Sequence, residues 1–395
     1  MMYDVRGKRG DEFATPHSDY GQRRWKMGLC TALFAIHCLL FTSCTKEGDT
    51  IYKPTPGEEQ PATTPLVTVI YGPNSLGDRS YCDLIYKGVE AAANQYGVRT
   101  LQLAPESEEQ GLAYLETMFR QMESATDTVR RLFVTPSPVY DAYIRKNNKR
   151  LEKNPYADLL YMETTTPLEG KGSTFYIDYY GAMYMGGCMA HYGVADLLTV
   201  LLANPYTQTV REAGEGFIAG YNDSPHWNDQ YPVQLHVRYL SDEPVGGFTM
   251  ADSTAMRIYQ EEKHYFDEEE MNDVTFVPIC GGAMHAIFRA LHSNLFSSVT
   301  DSYVGIDGDM TYEKEYCLFS IVKHIDKVMV DYIGLWLKKS MPKHQTLGLA
   351  DGATGTIKKN YRFVGANGYQ LFEERVDMDS LRQVAIRKEV ERYEK

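Results

Sequence analysis

From residue 65 onward, short apolar runs alternate with longer stretches in which apolar residues recur at helical spacing. Leu66 to Tyr71 reads as a buried strand, stopped by Gly72-Pro73. Leu84, Ile85, Val89 and Ala92 then share one helical face, which predicts a helix over Asp83–Tyr96. The same reading gives strands at Val98–Leu103, Arg131–Thr135 and Asp158–Glu163, separated by helices at Glu108–Glu123 and Asp141–Leu151. Further strands are expected at Thr174–Asp178, Leu197–Ala203, Val233–Leu240, Val274–Ile279 and Ser302–Ile306. Helices are expected between them at Ala182–Tyr192, Glu212–Tyr221, Asp252–Phe266 and Met284–Leu291. Cys317–Lys339 reads as one long helix. Strand–helix alternation implies an α/β protein with parallel sheets covered by helices, and about ten strands imply two sheets, hence two Rossmann-like lobes.

The first residues carry a different pattern. Arg23-Arg24-Trp25-Lys26 precedes the apolar run Met27 to Thr42, too short to span a membrane comfortably. Ser43-Cys44 closes that run and resembles a bacterial lipoprotein cleavage site, which would leave Cys44 as the lipidated first residue. A plain signal peptide and an uncleaved anchor are the alternatives. Residues 44–64 are rich in Pro, Thr, Gly and Glu, a linker composition with little apolar area to offset ordering entropy. Lys46-Glu47-Gly48-Asp49 is similar to the charged surface-export tags of some lipoproteins. The expected location is the bacterial cell envelope, with the chain tethered to a membrane.

Composition narrows the function. With 395 residues and 43% hydrophobic content, the chain can bury a large core. The net charge is −13 and no long basic patch follows residue 50, which argues against a nucleic-acid partner. Tyrosine is unusually frequent, 30 residues against 15 Phe, and offers stacking together with a hydroxyl. Among the 7 cysteines, Cys82, Cys188, Cys280 and Cys317 lie beyond the leader and show no CxxC or Cys/His spacing. No metal site is expected from them, and they are equally consistent with disulfides or with buried thiols. The P-loop, HExxH and GxSxG signatures are absent. Gly214, Gly216 and Gly220 miss a dinucleotide fingerprint and fit close helix–sheet packing instead.

Four strand ends carry candidate chemistry. After the first strand, Asp78-Arg79-Ser80-Tyr81-Cys82-Asp83 delivers acids, a base, a hydroxyl and an aromatic to a helix N-terminus, where open α/β sheets bind ligands. An ordinary turn with helix caps at Asp78 and Ser80 is equally consistent with these residues. Val304-Gly305-Ile306-Asp307 ends in an acid able to accept vicinal hydroxyls, and Lys323 in the next expected helix is a candidate further donor. Cys280-Gly281-Gly282 allows close backbone approach to a ligand, and Gly246-Gly247-Phe248 places an aromatic on a loop.

Taken in order, these stretches resemble the basic membrane protein family, the substrate-binding lipoproteins of ABC transporters that include purine nucleoside receptors. The run Asp78 to Asp83 with Gly88 is similar to the family's motif after its first strand. Val304 to Asp309, Ser320 to Asp326, Gly281-Gly282, Gly348 to Gly352 and the small-residue stretch Tyr179 to Ala190 match its later motifs. The resemblance implies a type I periplasmic-binding-protein fold, two lobes joined by crossover strands with a ligand cleft between them. Residues 65–163 with 312–345 would form one lobe, and 164–311 with 346–395 the other. It implies a monomer that binds a nucleoside-like ligand, with no cofactor, and hands it to an ABC permease. A base would stack between Tyr81 and Phe248; Asp307 and Lys323 would hold sugar hydroxyls beside Gly281 and Gly282; Asp78, Cys82 and Asp83 would complete the site. The departures from the family are Cys82 in place of asparagine, Tyr81 in place of phenylalanine and Arg79 in place of lysine. A sensory or scavenging lipoprotein without a transporter is the rival within binding proteins. A nucleoside-processing enzyme using Asp307 and Asp309 is the rival from another class.

Overall fold

The computed structural model describes residues 50–51, 63–190, 195–224, 233–266, 271–293, 301–312, 316–359 and 377–394. Residues 48–395 form one compact unit. The leader, Cys44 and all of the 44–64 linker except residues 50, 51, 63 and 64 lie outside the described residues. Among the described residues, no helix is long and apolar enough to cross a membrane.

The first pass of the chain builds one lobe: β1 (Thr50–Ile51), β2 (Leu66–Ile70), α1 (Tyr81–Tyr96), β3 (Arg99–Leu103), α2 (Glu108–Ser124), β4 (Arg131–Thr135), α3 (Asp141–Asn147), β5 (Ala157–Met162) and β6 (Ser173–Ile177). The chain then crosses to build a second lobe from α4 (Tyr180–Ala190), β7 (Leu197–Leu202), α5 (Gln208–Asp223), β8 (Gln234–Tyr239), α6 (Asp252–Lys263), β9 (Val274–Ile279), α7 (Met284–His292), β10 (Ser302–Asp307) and β11 (Cys317–Lys323). It returns with α8 (Ile325–Leu337) and β12 (His344–Leu347), and crosses once more to β13 (Thr354–Lys359) and α9 (Met378–Glu391).

The first sheet has the order β1-β3-β2-β4-β5-β6-β12 and the second β13-β11-β10-β9-β7-β8. All neighbours are parallel except β1 on β3 and β13 on β11. Strands β7, β9 and β11 are buried along their whole length, as parallel strands covered on both faces require. The first-lobe core gathers Val67, Val69, Val89, Val134, Ile333 and Trp336; the second gathers Leu198, Val200, Phe217, Phe276, Ile287 and Ile321. Side by side, the three crossovers form the hinge: the Asp178 amide donates to Leu347 O at 2.7 Å and the His324 amide to Ala353 O at 2.8 Å.

Three expectations change. Cys317–Lys323 is a strand and the helix begins only at Ile325. A continuous apolar run carries no period, and β11 is buried between β10 and β13, so its neighbours decide its conformation. The lobe boundary also moves. Ser173–Ile177, expected in the second lobe, pairs with β5 and β12 in the first sheet, whereas Cys317–Lys323, expected in the first lobe, pairs in the second. Of the α5 glycines, Gly214 does pack on the sheet, with a Cβ there 2.7 Å from Leu202 Cδ2 of β7, whereas Gly216 and Gly220 serve helix–helix packing. A Cβ at Gly216 would stand 2.5 Å from the Tyr180 carbonyl oxygen, so α4 and α5 meet backbone to backbone.

Candidate functional site

The loop after β2 is held by its own acids. Asp78 Oδ1 accepts from the Ser80 and Asp83 amides at 2.9 and 3.1 Å, and its Oδ2 accepts from the Cys82 amide at 2.8 Å. Asp83 reaches back, accepting from the Gly77 amide at 2.8 Å and the Arg79 amide at 2.9 Å. The two carboxylates satisfy the free N–H groups at the start of α1 and fix the turn, in which Arg79 takes a left-handed φ of 47°. Ser80 makes no side-chain cap. Its hydroxyl instead donates to Ile306 O at 3.1 Å, across the lobes. His285 Nε2 contacts Asp78 O at 2.5 Å, also across the lobes. Cys82 is 7% exposed and packs into the first-lobe core, where burial pushes its thiol well up.

Beside this loop, three ionisable side chains converge. Asp307 ends β10 with a left-handed φ of 64°, and Glu163 follows β5 with φ 55°. Lys323 ends β11 and is only 4% exposed. Its Nζ lies 3.5 Å from Glu163 Oε2, an ion pair outside hydrogen-bond geometry. Both oxygens of Glu163 are buried without a hydrogen-bond partner. Burial raises the Glu163 carboxyl, Lys323 lowers it and Asp307 raises it further. Burial also raises Asp307, against the pull of Lys323. Two carboxylates thus face one ammonium, and the group is rich in acceptors.

Aromatic rings frame this group. Lys323 Nζ stands 5.0 Å from the Tyr179 ring centroid and 5.6 Å from that of Tyr81. The Tyr179 hydroxyl accepts from the Asp307 amide at 3.1 Å and donates to Ile321 O at 2.5 Å, pinning the first crossover to the ends of β10 and β11. The Tyr81 hydroxyl is buried with no partner. On the second lobe, Phe248 lies against the glycine pair after β9. A Cβ at Gly281, whose φ is 52°, would stand 3.2 Å from Phe248 Cδ1, and one at Gly282 would stand 3.3 Å from Phe248 O. A left-handed φ together with so close an approach favours glycine at position 281.

The structure therefore brings Tyr81, Asp307 and Lys323 together, and joins Phe248 to Gly281 and Gly282. Asp78 and Asp83 spend their oxygens on loop amides, and Cys82 faces the core. Glu163 and Tyr179 were not anticipated. Glu163 carried a legible signal, an acid closing an apolar strand, the same pattern that marked Asp307. Tyr179 carried none, because its place depends on the crossover.

No protein-family model matches this chain, and no curated protein matches it. Solved structures do. An ABC-transporter solute-binding protein from Aeropyrum pernix K1 aligns with TM-score 0.59 at 16% identity, covering 83% of this chain and 86% of that one. A transcriptional activator of the comK gene from Bacillus halodurans aligns with TM-score 0.56 at 17% identity, covering 78% and 95%. A solute-binding protein from Agrobacterium vitis, solved with α-D-tagatopyranose, aligns with TM-score 0.52 at 14% identity, covering 78% and 98%. Such identities establish a shared fold. The chain has the type I periplasmic-binding fold, two α/β lobes around parallel sheets.

Proposed function

We propose that this protein is a lipid-anchored extracytoplasmic binding protein that captures a nucleoside-like ligand between its lobes and presents it to an ABC permease. One observation carries the reading: Glu163, Asp307 and Lys323 meet at strand ends of both sheets, and both Glu163 oxygens and the Tyr81 hydroxyl beside them are buried without hydrogen-bond partners. Buried polar groups in that state await partners, and a ligand with several hydroxyl or N–H donors supplies them. Asp307 and Lys323 suit the sugar hydroxyls, and Tyr81 and Phe248 suit a stacked base. A monosaccharide is the second reading, favoured by the sugar bound to a protein of the same fold. The enzyme reading has less support, because Asp309 is exposed and its Oδ1 is engaged by the amide and hydroxyl of Thr311 at 3.0 and 2.5 Å.

Titration calorimetry of the mature chain with inosine, guanosine, adenosine, ribose and tagatose tests this. A nucleoside is expected to bind while free ribose does not. Binding of a monosaccharide alone overturns the base-stacking half, and silence across the panel overturns the whole reading.

Tyr81 separates ring from hydroxyl. Deleting an unpartnered buried hydroxyl removes no hydrogen bond. Tyr81→Phe is therefore expected to leave the melting temperature of the free protein unchanged or slightly higher. Tyr81→Ala is expected to weaken nucleoside binding by about 1–3 kcal/mol, the worth of one stacked base. Lipidation at Cys44 is checked by palmitate labelling, with incorporation expected in wild type and lost in Cys44→Ser.

A further inference from the structure

Helix α9 arrives after both sheets are complete, and it lands on the hinge rather than on a sheet. Glu389 is 5% exposed. Its Oε2 accepts from the Gly181 amide at 2.9 Å, just past the first crossover, and its Oε1 accepts from the Leu349 amide at 2.9 Å, in the third. A Cβ at Gly181 would stand 2.5 Å from that Oε2, so the absence of a side chain lets the carboxylate in. The Leu349 carbonyl is held as well, by Arg382 Nη2 at 2.7 Å. Leu349 and Ala385 share a small buried cluster with Tyr184, Met185 and Cys188 of α4.

A second set of bonds runs from the hinge into the second lobe. Asp178 sits in the first crossover and is 1% exposed. It accepts from Arg392 Nη1 at 3.1 Å and from the Tyr393 hydroxyl at 2.7 Å. Arg392 Nη2 lies 2.8 Å from Glu212 Oε2 on α5. Glu212 Oε2 also accepts from the Tyr176 hydroxyl of β6 at 2.6 Å, a bond from lobe to lobe. Lobe rotation must be absorbed by backbone torsions in the few residues of the crossovers. Those residues include Leu349, whose N–H and C=O groups are both held by α9, and Gly181 lies directly after them, so rotation strains or breaks these bonds.

We propose that α9 is a clasp on the hinge: Glu389 ties the first crossover to the third, Arg392 ties the hinge to the second lobe, and together they hold the lobes closed. The clasp uses none of the residues Glu163, Asp307 and Lys323. It biases a two-state equilibrium that the cleft also senses.

The test uses the full chain without ligand. Glu389→Gln keeps the size of the side chain and removes its charge; Tyr393→Phe removes one hydroxyl. Hydrogen exchange at the Gly181 and Leu349 amides is expected to accelerate about tenfold or more in Glu389→Gln, because an exposed opening step replaces a bonded one. Exchange in the core strands β2 and β7 should stay as in wild type, and small-angle scattering should show a larger radius of gyration. Tyr393→Phe should move both readouts the same way by less. Faster hinge exchange with an unchanged radius would reduce α9 to a local brace and overturn the clasp, as would no change in either readout. Should Glu389→Gln fail to fold, the same outcomes in Tyr393→Phe decide the matter. No ligand enters these measurements, so their failure is distinct from failure of the nucleoside reading.

Discussion

Replacing Asp307 with alanine is expected to weaken nucleoside binding by about two orders of magnitude, or about 3 kcal/mol, without destabilising the free protein. The affinity loss follows from the chemistry of the group. A carboxylate that accepts two hydroxyls makes two charge-assisted hydrogen bonds in a site shielded from water, and alanine makes neither. The stability half follows from the same burial. Asp307 is raised because folding strips its water, and only the charge of Lys323 opposes that. The free protein therefore holds this carboxylate at a cost, and its removal should leave the melting temperature unchanged or raised. Calorimetry with inosine and a thermal melt of the free variant check both halves. Unchanged affinity overturns the sugar-binding role, and a parallel loss of affinity and stability would make Asp307 a structural residue.

Lys323→Met is expected to lower stability by about 3–5 kcal/mol at neutral pH, the usual cost of removing one partner from a buried ionic group. The loss should shrink on acidification. Glu163 and Asp307 both have carboxyls raised on folding, and Lys323 opposes the rise in each. A carboxyl raised in the folded state favours folding most where it is protonated, below its ordinary range, and that contribution is lost as pH rises through the raised value. Without Lys323 both carboxyls rise further, so the folded variant takes up protons more readily than wild type. Its deficit should be largest at neutral pH and should shrink as acidification below the ordinary carboxylate range protonates both groups. Urea unfolding of variant and wild type at neutral and at acidic pH measures this. A deficit independent of pH would show that Lys323 acts through its aliphatic stem rather than through its charge.

The value of this group lies in its imbalance. A fully paired site would be stable and indifferent to ligand. Here both Glu163 oxygens and the Tyr81 hydroxyl are buried without partners, while Lys323 serves two carboxylates. Such a site gains most from a ligand that arrives with donors, and discriminates against one that lacks them, because buried acceptors would then stay unpaired. The clasp is of the opposite kind: Asp178 pairs with Arg392, and Glu389 accepts from the Gly181 and Leu349 amides.

Much of this was legible in the residues. Alternating apolar runs and helical periods specify parallel strands between helices, since a strand covered on both faces must be apolar throughout and a covering helix must be apolar on one side. Strand ends are legible too, because an acid or a glycine pair closing an apolar run stands out; Asp307 and Gly281-Gly282 stand out that way as candidates, and Glu163 lay open to the same logic. Tertiary structure decided the rest. Cys317–Lys323 is a strand only because β10 and β13 flank it, and this moved Lys323 from a helix face to a strand end beside Glu163. What Asp78, Cys82 and Asp83 touch also depends on their neighbours: both carboxylates accept from loop amides and Cys82 packs into the core. Local pattern fixes which segments become strands and helices, because periodicity and burial act along the chain. Partners more than a hundred residues apart meet only when the crossovers bring the lobes together, and no local pattern encodes that meeting.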